Sequence, residues 1–167
     1  MAYDAFMWLE GEPKAEGETQ DKVYKDKKAF ELYSFSWGAS NPTTIGSASE
    51  GAGGGKVSIS SFNIMKKTDK ASPVLFYACC SGGHYDKAHV VLRKAGGEQI
   101  EYLQYDFEEV YVESVQWSGS AGGDDTPSES VSFAFGKCEI KYTPQTVKGQ
   151  KATPIPASWD LRLNVKG

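Results

Sequence analysis

Short runs in which β-branched and aromatic residues alternate with polar ones recur along the whole chain, separated by clusters of Gly, Ser, Asn and Asp. Period-two alternation marks a strand buried on one face, and its repetition between turn residues requires a mainly β fold. The candidate strands are 3–9, 29–38, 56–66, 87–95, 100–105, 109–118, 129–135, 138–142 and 158–164. Only "TDKASPVLFYACCSGG" breaks the rule. It reads as a helix capped by Thr68 or Ser72, with Pro73 in a first turn whose N–H groups need no partner, and it is stopped by Gly82 and Gly83. Leu75, Ala78 and Cys79 fall on one helical face, as expected of a segment that covers an open end or seam of a barrel.

A length of 167 residues fits one domain with one core, and 40% hydrophobic and 13% aromatic residues supply the material for it. Trp8, Trp37, Trp117 and Trp159 are spread from end to end, so both termini are expected to join that core. A net charge of −4 and a densest basic cluster (Lys22, Lys25, Lys27, Lys28) interleaved with Asp21 and Asp26 argue against nucleic-acid binding and for a solvated turn. The longest apolar run, 74–80, is too short to span a membrane, and the opening "MAYDAFMWLEGE" lacks the basic and apolar regions of an export signal. Three cysteines, two of them adjacent, do not form a disulfide framework, which points to synthesis in a reducing cytoplasm.

Chemistry can be sought in four places, and each falls short. Cys79 or Cys80 with His84 suggests a thiol nucleophile and base, but a helix C-terminus disfavours the thiolate. A metal site from Cys79, Cys80, His84 and His89 needs convergent ligands, whereas adjacent cysteines diverge and His89 lies on the next strand. "EGAGGGKV" resembles a phosphate-cradling loop, yet Glu50 stands where the first Gly is needed, Val57 ends the motif, and a strand follows instead of a helix. The acidic pairs Glu108/Glu109 and Asp124/Asp125 are sequence neighbours, which point apart on a strand and are solvated in a loop. No catalytic residue, cofactor or metal is expected.

The strand faces are more informative. In "LYSFSWG", Tyr33, Phe35 and Trp37 share one side and Ser34 and Ser36 the other; in "VYVESVQW", Tyr111 and Trp117 oppose Ser114 and Gln116. Faces of small uncharged polar groups suit a wet surface that passes or holds other proteins without strong attraction, although an ordinary solvated sheet face has the same composition. The stretch 39–55, "ASNPTTIGSASEGAGGG", exceeds the usual loop length and is expected to be functional or disordered.

Taken together, "MAYDAFMWLEG", "FELYSFSWGAS", "GKVSISSFNIMKKTDKASPVLFYACCSGGHYDKAHVVLRKAGGEQIEYL", "ESVSFAFGKCEIKY" and "SWDLRLN" resemble, in order and across the chain, the Hcp family, the haemolysin co-regulated proteins of bacterial type VI secretion. The most specific stretches are "SFSWG", "DKASPVLF" and "RKAGG". The resemblance implies one domain over 1–167, mainly β and phage tail-tube-like: a β-barrel of two antiparallel sheets with one short flanking α-helix. It further implies a homo-oligomer, a hexameric ring that stacks into the inner tube of a contractile machine, with a spike protein at the tip, a sheath around it and effector proteins in the lumen. Such a tube protein leaves the cytoplasm through the apparatus itself, and it is not an enzyme. Ser34 and Ser36 then become lumen-facing candidates, and Thr43, Thr44, Ile45, Ser47, Glu50, Gly53 and Gly54 candidates for inter-subunit or inter-ring contact. A monomeric β-sandwich binding module, for example for glycans, and a thiol enzyme remain the alternatives.

Overall fold

The computed structural model describes residues 3–43, 54–123 and 125–167. Its order is β1 (Tyr3–Glu10), β2 (Phe30–Glu31), β3 (Ser34–Ser36), β4 (Ala39–Ser40), β5 (Ser58–Ile59), β6 (Phe62–Lys67), α1 (Ser72–Ser81), β7 (His84–Lys94), β8 (Glu101–Ser118), β9 (Ser128–Tyr142), β10 (Ile155–Asp160) and β11 (Val165–Lys166). The fold is mainly β, with one helix and two antiparallel sheets. The small sheet is β4–β5; the large one runs β11–β10–β9–β8–β7–β1–β2. β9 is its branch point: one edge pairs with β8, while the other takes β6 along Ser128–Phe133 and β10 along Lys137–Tyr142.

The ladder does not close into a barrel, and the reason lies at Leu32 and Tyr33. The Leu32 N–H donates to the Ala5 carbonyl at 2.9 Å, whereas the Tyr33 N–H donates to the Met65 carbonyl at 2.8 Å. The chain thus leaves β1 and joins β6 between two consecutive residues. The single strand expected over 29–38 is therefore split, its alternation slips, and Tyr33 is 62% exposed instead of sharing a buried side with Phe35 and Trp37.

The opposite deviation occurs in β8 and β9, where two expected pairs of strands are continuous. Bulges interrupt the alternation without ending the strand. In β8 the register slips between Val112 and Ser114, and Glu109 adopts a left-handed φ of 54°.

Phe62, Phe107, Phe133, Val131, Tyr85 and Leu75 anchor the main core. A second cluster of Phe6, Tyr24, Ala29 and Val91, with Trp8 packed on it, lies across the β1–β7 sheet from the first. The lysine-rich segment is indeed an exposed turn, but it also carries Tyr24 into this cluster and sets Lys27 over the Trp8 ring at 4.5 Å. One core was expected; the sheet separates two.

Gly82, at φ 70°, ends α1 as expected. Its start is different. Ser72 is already helical, Thr68 Oγ1 is buried without a partner, and the Asp69 carboxylate accepts from the Ala71 N–H at 2.9 Å. Leu75 and Ala78 are buried, Cys79 packs against the main core, and the Phe76 ring lies 5.8 Å from that of Trp117 on β8.

Candidate functional site

The register across four strands builds one continuous face. On the core side, Phe35, Ile64, Val131 and Val115 lie opposite one another along β3, β6, β9 and β8. Their sequence neighbours must point the other way. These are Ser36, Asn63, Ser132 and Ser114 in one row, and Ser34, Met65, Ser130 and Gln116 in the next. No member of either row carries a charge. Within the first row the Ser132 hydroxyl is hydrogen-bonded to Asn63 Oδ1.

Ser34 and Ser36 are both exposed and sit on this face, as the alternation requires. Phe35 and Trp37 pack against the core; the Trp37 ring meets Tyr105 and Phe107 edge-on, each at 5.2 Å. Ser114 and Gln116 join the same face. For Tyr111 and Trp117 the expectation half fails: the slip after Val112 leaves Trp117 on the helix-covered side, while Tyr111 pairs with Ala134 and stays on the outer face. Asn63, Ser130 and Ser132 were missed. The signal was present in "SESVSFAF", where small residues alternate with Val131, Phe133 and Phe135.

Two charges border these rows on the same face: Lys67, two residues on from Met65 and in register with Ser128, has its Nζ 5.9 Å from the Tyr33 ring, and Glu113, in the slip before Ser114, accepts from the Ser61 hydroxyl. A further pair is turned away beneath the helix. Lys66, Glu129 and Trp117 form the next cross-strand row on the core side, with Lys66 Nζ 2.6 Å from Glu129 Oε1 and 2.7 Å from Asp69 Oδ1. The Trp117 Nε1–H donates to Glu129 Oε2 at 2.7 Å. Side chains of Lys66 and Glu129 are 1% and 0% exposed. Below the level of Glu109 and Gly136 the outer face carries a full row of charges: Glu10, Lys87, Glu108 and Lys137 follow in register across β1, β7, β8 and β9.

Physically, the two rows can exchange hydrogen bonds with any polar chain through hydroxyl and amide groups that both donate and accept, and they carry no charge of their own. Met65, 42% exposed, is the one large apolar side chain in the two rows.

At the base of the 39–55 segment, Thr43 and Gly54 form an antiparallel bridge and the Gly55 N–H donates to the Pro42 carbonyl at 2.9 Å. A Cβ on Gly55 would lie 2.9 Å from Pro42, so the close approach needs glycine. Thr44, Ile45, Ser47, Glu50 and Gly53 lie outside the described residues.

The cysteine and histidine corner is dispersed. Cys79 is partly buried with its Sγ 3.5 Å from the Glu113 carbonyl, Cys80 is exposed, and all three cysteines are free. Burial pushes the Cys138 thiol up in pKa. His84 is exposed beside Tyr111, and His89 is held by Asp106 and Glu10. Among the described residues no group of three or more His, Cys, Asp or Glu is arranged to hold a metal, and no helix is long and apolar enough to cross a membrane.

Comparison with known proteins agrees with this architecture. A solved type six secretion system protein superposes with a TM-score of 0.91 at 32% identity, covering 99% of this chain and 100% of its own. Hcp1 from Salmonella typhimurium superposes with a TM-score of 0.79 at 33% identity over 100% of both chains. Protein hcp1 of Pseudomonas aeruginosa is 42% identical over 113 residues, which span 66% of this chain and 69% of that protein. The model of the family described as "Type VI secretion system effector, Hcp" matches residues 6–142. The chain therefore belongs to the Hcp family of type VI secretion tube proteins.

Proposed function

We propose that this chain is a ring-forming, secreted component of the type VI inner tube, a hexamer whose lumen is walled in part by the uncharged rows of β3, β6, β8 and β9, and that effector proteins travel against that wall. The observation that carries this reading is the pair of charge-free rows through Ser34 and Ser36, with Lys66 and Glu129 withdrawn beneath α1. A wall of small hydroxyls lets a cargo slide or lodge with modest, reversible contacts, because each exposed hydrogen bond replaces one to water at little net gain. Its role is structural and non-enzymatic. The spike at the tip and the surrounding sheath are its assembly partners.

The test is cargo retention. Ser36→Arg and Ser132→Arg put charge and length into the wall. Rings that assemble normally but no longer retain effector support the assignment; unchanged retention by both variants overturns it.

The 39–55 segment is assigned to contact between subunits or rings, through Thr43, Thr44, Ile45, Ser47, Glu50, Gly53 and Gly54. Its glycines offer a ligand little side-chain chemistry, yet a backbone laid against an identical neighbour repeats a weak contact around a ring. Replacing residues 43–54 with a short Gly-Ser connection should preserve the circular dichroism of the β fold and abolish stacking and secretion. Intact tubes from that variant would contradict the assignment.

A further inference from the structure

On the charged lower half of the outer face, His89 of β7 lies between two carboxylates supplied by different strands. Its Nδ1 is 2.5 Å from Asp106 Oδ1 on β8, and its Nε2 is 2.7 Å from Glu10 Oε1 on β1. Trp8, also on β1, stacks on the imidazole with ring centroids 5.0 Å apart. One side chain thus ties three neighbouring strands. An ionised carboxylate only accepts hydrogen bonds, so contacts of this length at both nitrogens require both to donate, and only the imidazolium has two N–H groups.

We propose that His89 is a pH-operated clasp: protonated, it joins β1 and β8 through β7 on the outer face, and on losing its proton it gives up one of these two ties. The tie it gives up is to Glu10. Glu10 is the more exposed partner, at 54% against 33% for Asp106, and its contact is the longer. A freed Glu10 turns to water or to Lys87, its cross-strand neighbour. The end of β1 then keeps its backbone ladder but loses its side-chain anchor.

The surroundings favour the closed form. From β8, Asp106 faces the ring and Glu108 stands opposite Lys87. From β9, Glu139 is opposite Asp106, with Lys141 Nζ 3.3 Å from it, and Lys137 is opposite Glu108. Lys27 approaches only the Trp8 ring, at 4.5 Å. Arg93, farther along the face, is engaged by Asp4 and Asp21. Burial pushes the proton off His89, and the hydrogen bonds to Asp106 and Glu10 more than offset it, raising the pKa above the ordinary histidine value. A raised folded-state value means that the clasp's contribution is complete below the unfolded value of about 6.5 and is lost as pH rises through the folded one.

The chain has two histidines, so one variant separates their signals. With 13C-histidine labelling and His84→Gln for assignment, the expected His89 midpoint lies above ~6.5; Asp106→Asn lowers it, and Glu10→Gln lowers it by less. Deuterium uptake at Trp8–Glu10, corrected for the base-catalysed intrinsic rate, should rise several-fold across the same titration and lose that step in His89→Gln. A wild-type midpoint at or below the ordinary value, a midpoint unmoved by both carboxylate variants, or uptake in β1 that does not follow the titration would each overturn the proposal. The wild-type titration decides even if a variant fails to fold.

Discussion

Glu109 and Gly136 stand at the same level of the two longest strands, in the gap between the Glu108–Lys137 and Val110–Phe135 pairs. Glu109 takes the left-handed φ of 54°. Gly136 leaves room for it, since a Cβ there would lie 2.8 Å from Glu109 Oε2 and 3.0 Å from Arg162 Cδ. Arg162 Nη1 closes the corner at 2.7 Å from Glu109 Oε2, and the Leu161 N–H donates to the Gly136 carbonyl at 2.9 Å. The side-chain alternation of β8 is broken here, so that Phe107 and Val110, three residues apart, both face the core.

Gly136→Ala should therefore cost no more than about 1 kcal/mol, because the atoms its methyl would meet are the movable ends of the half-exposed Glu109 and Arg162 side chains, whose ion pair is the main thing displaced. Glu109→Gly relieves a left-handed non-glycine residue, which is worth ~1–2 kcal/mol, and gives up a half-exposed ion pair worth at most about 1 kcal/mol. It should be neutral or mildly stabilising. Denaturant midpoints at constant slope check both.

Removing one partner of the buried pair beneath α1 should be far more damaging. Lys66→Met leaves Glu129 charged and enclosed, at a cost of about 3–5 kcal/mol. Adding Glu129→Gln removes that charge while an amide oxygen still accepts from the Trp117 Nε1–H. The double variant should recover a large part of the loss in a thermal or urea transition.

Much of this architecture was legible from the alternation in β3, β6 and β9, because period two maps directly onto faces. The legible part ended where backbone geometry breaks the period. Nothing in "FELYSFSW" marks that Leu32 and Tyr33 bond to different strands, since that choice is made by β1 and β6, distant in sequence. The slip after Val112 is equally silent, so Tyr111 and Trp117 could not be placed on opposite sides. Ser34 and Ser36 were readable as outward-facing; that they continue through Asn63 and Ser132 to Ser114 needed the register of four strands. The helix start was misread because the cap position falls on Ala71, which has no capping side chain: Asp69, outside the helix, accepts from the Ala71 N–H, and the Ser72 hydroxyl, already in the helix, accepts back from the Asp69 N–H.

The two sides of β3 should respond oppositely to substitution. Trp37→Ala empties the aromatic cluster with Tyr105, Phe107 and Phe135 and should cost about 3 kcal/mol, the low end for tryptophan because the ring is not wholly buried. Ser36→Gln should stay within about 0.5 kcal/mol of the parent. Equal losses in urea unfolding would mean the faces are exchanged.

Acid should weaken the corner at the end of β10. The Arg162 guanidinium, followed by the backbone N–H groups of Leu163 and Arg162, holds the Asp160 carboxyl at about 2, below its ordinary 3.8. A depressed folded-state value contributes stability above the unfolded value, and that contribution is lost as pH falls through the folded one. The stability difference between the parent and Asp160→Asn should accordingly be constant above about pH 4 and shrink towards pH 2, as followed by urea midpoints at each pH.

The central claim is that this chain functions as a closed ring, and native mass spectrometry of the purified protein at micromolar concentration and low salt tests it most directly. The account predicts a dominant hexamer of the 18.2 kDa chain. A species that remains monomeric up to high micromolar concentration would contradict it and return the uncharged rows of β3, β6, β8 and β9 to an ordinary solvated sheet.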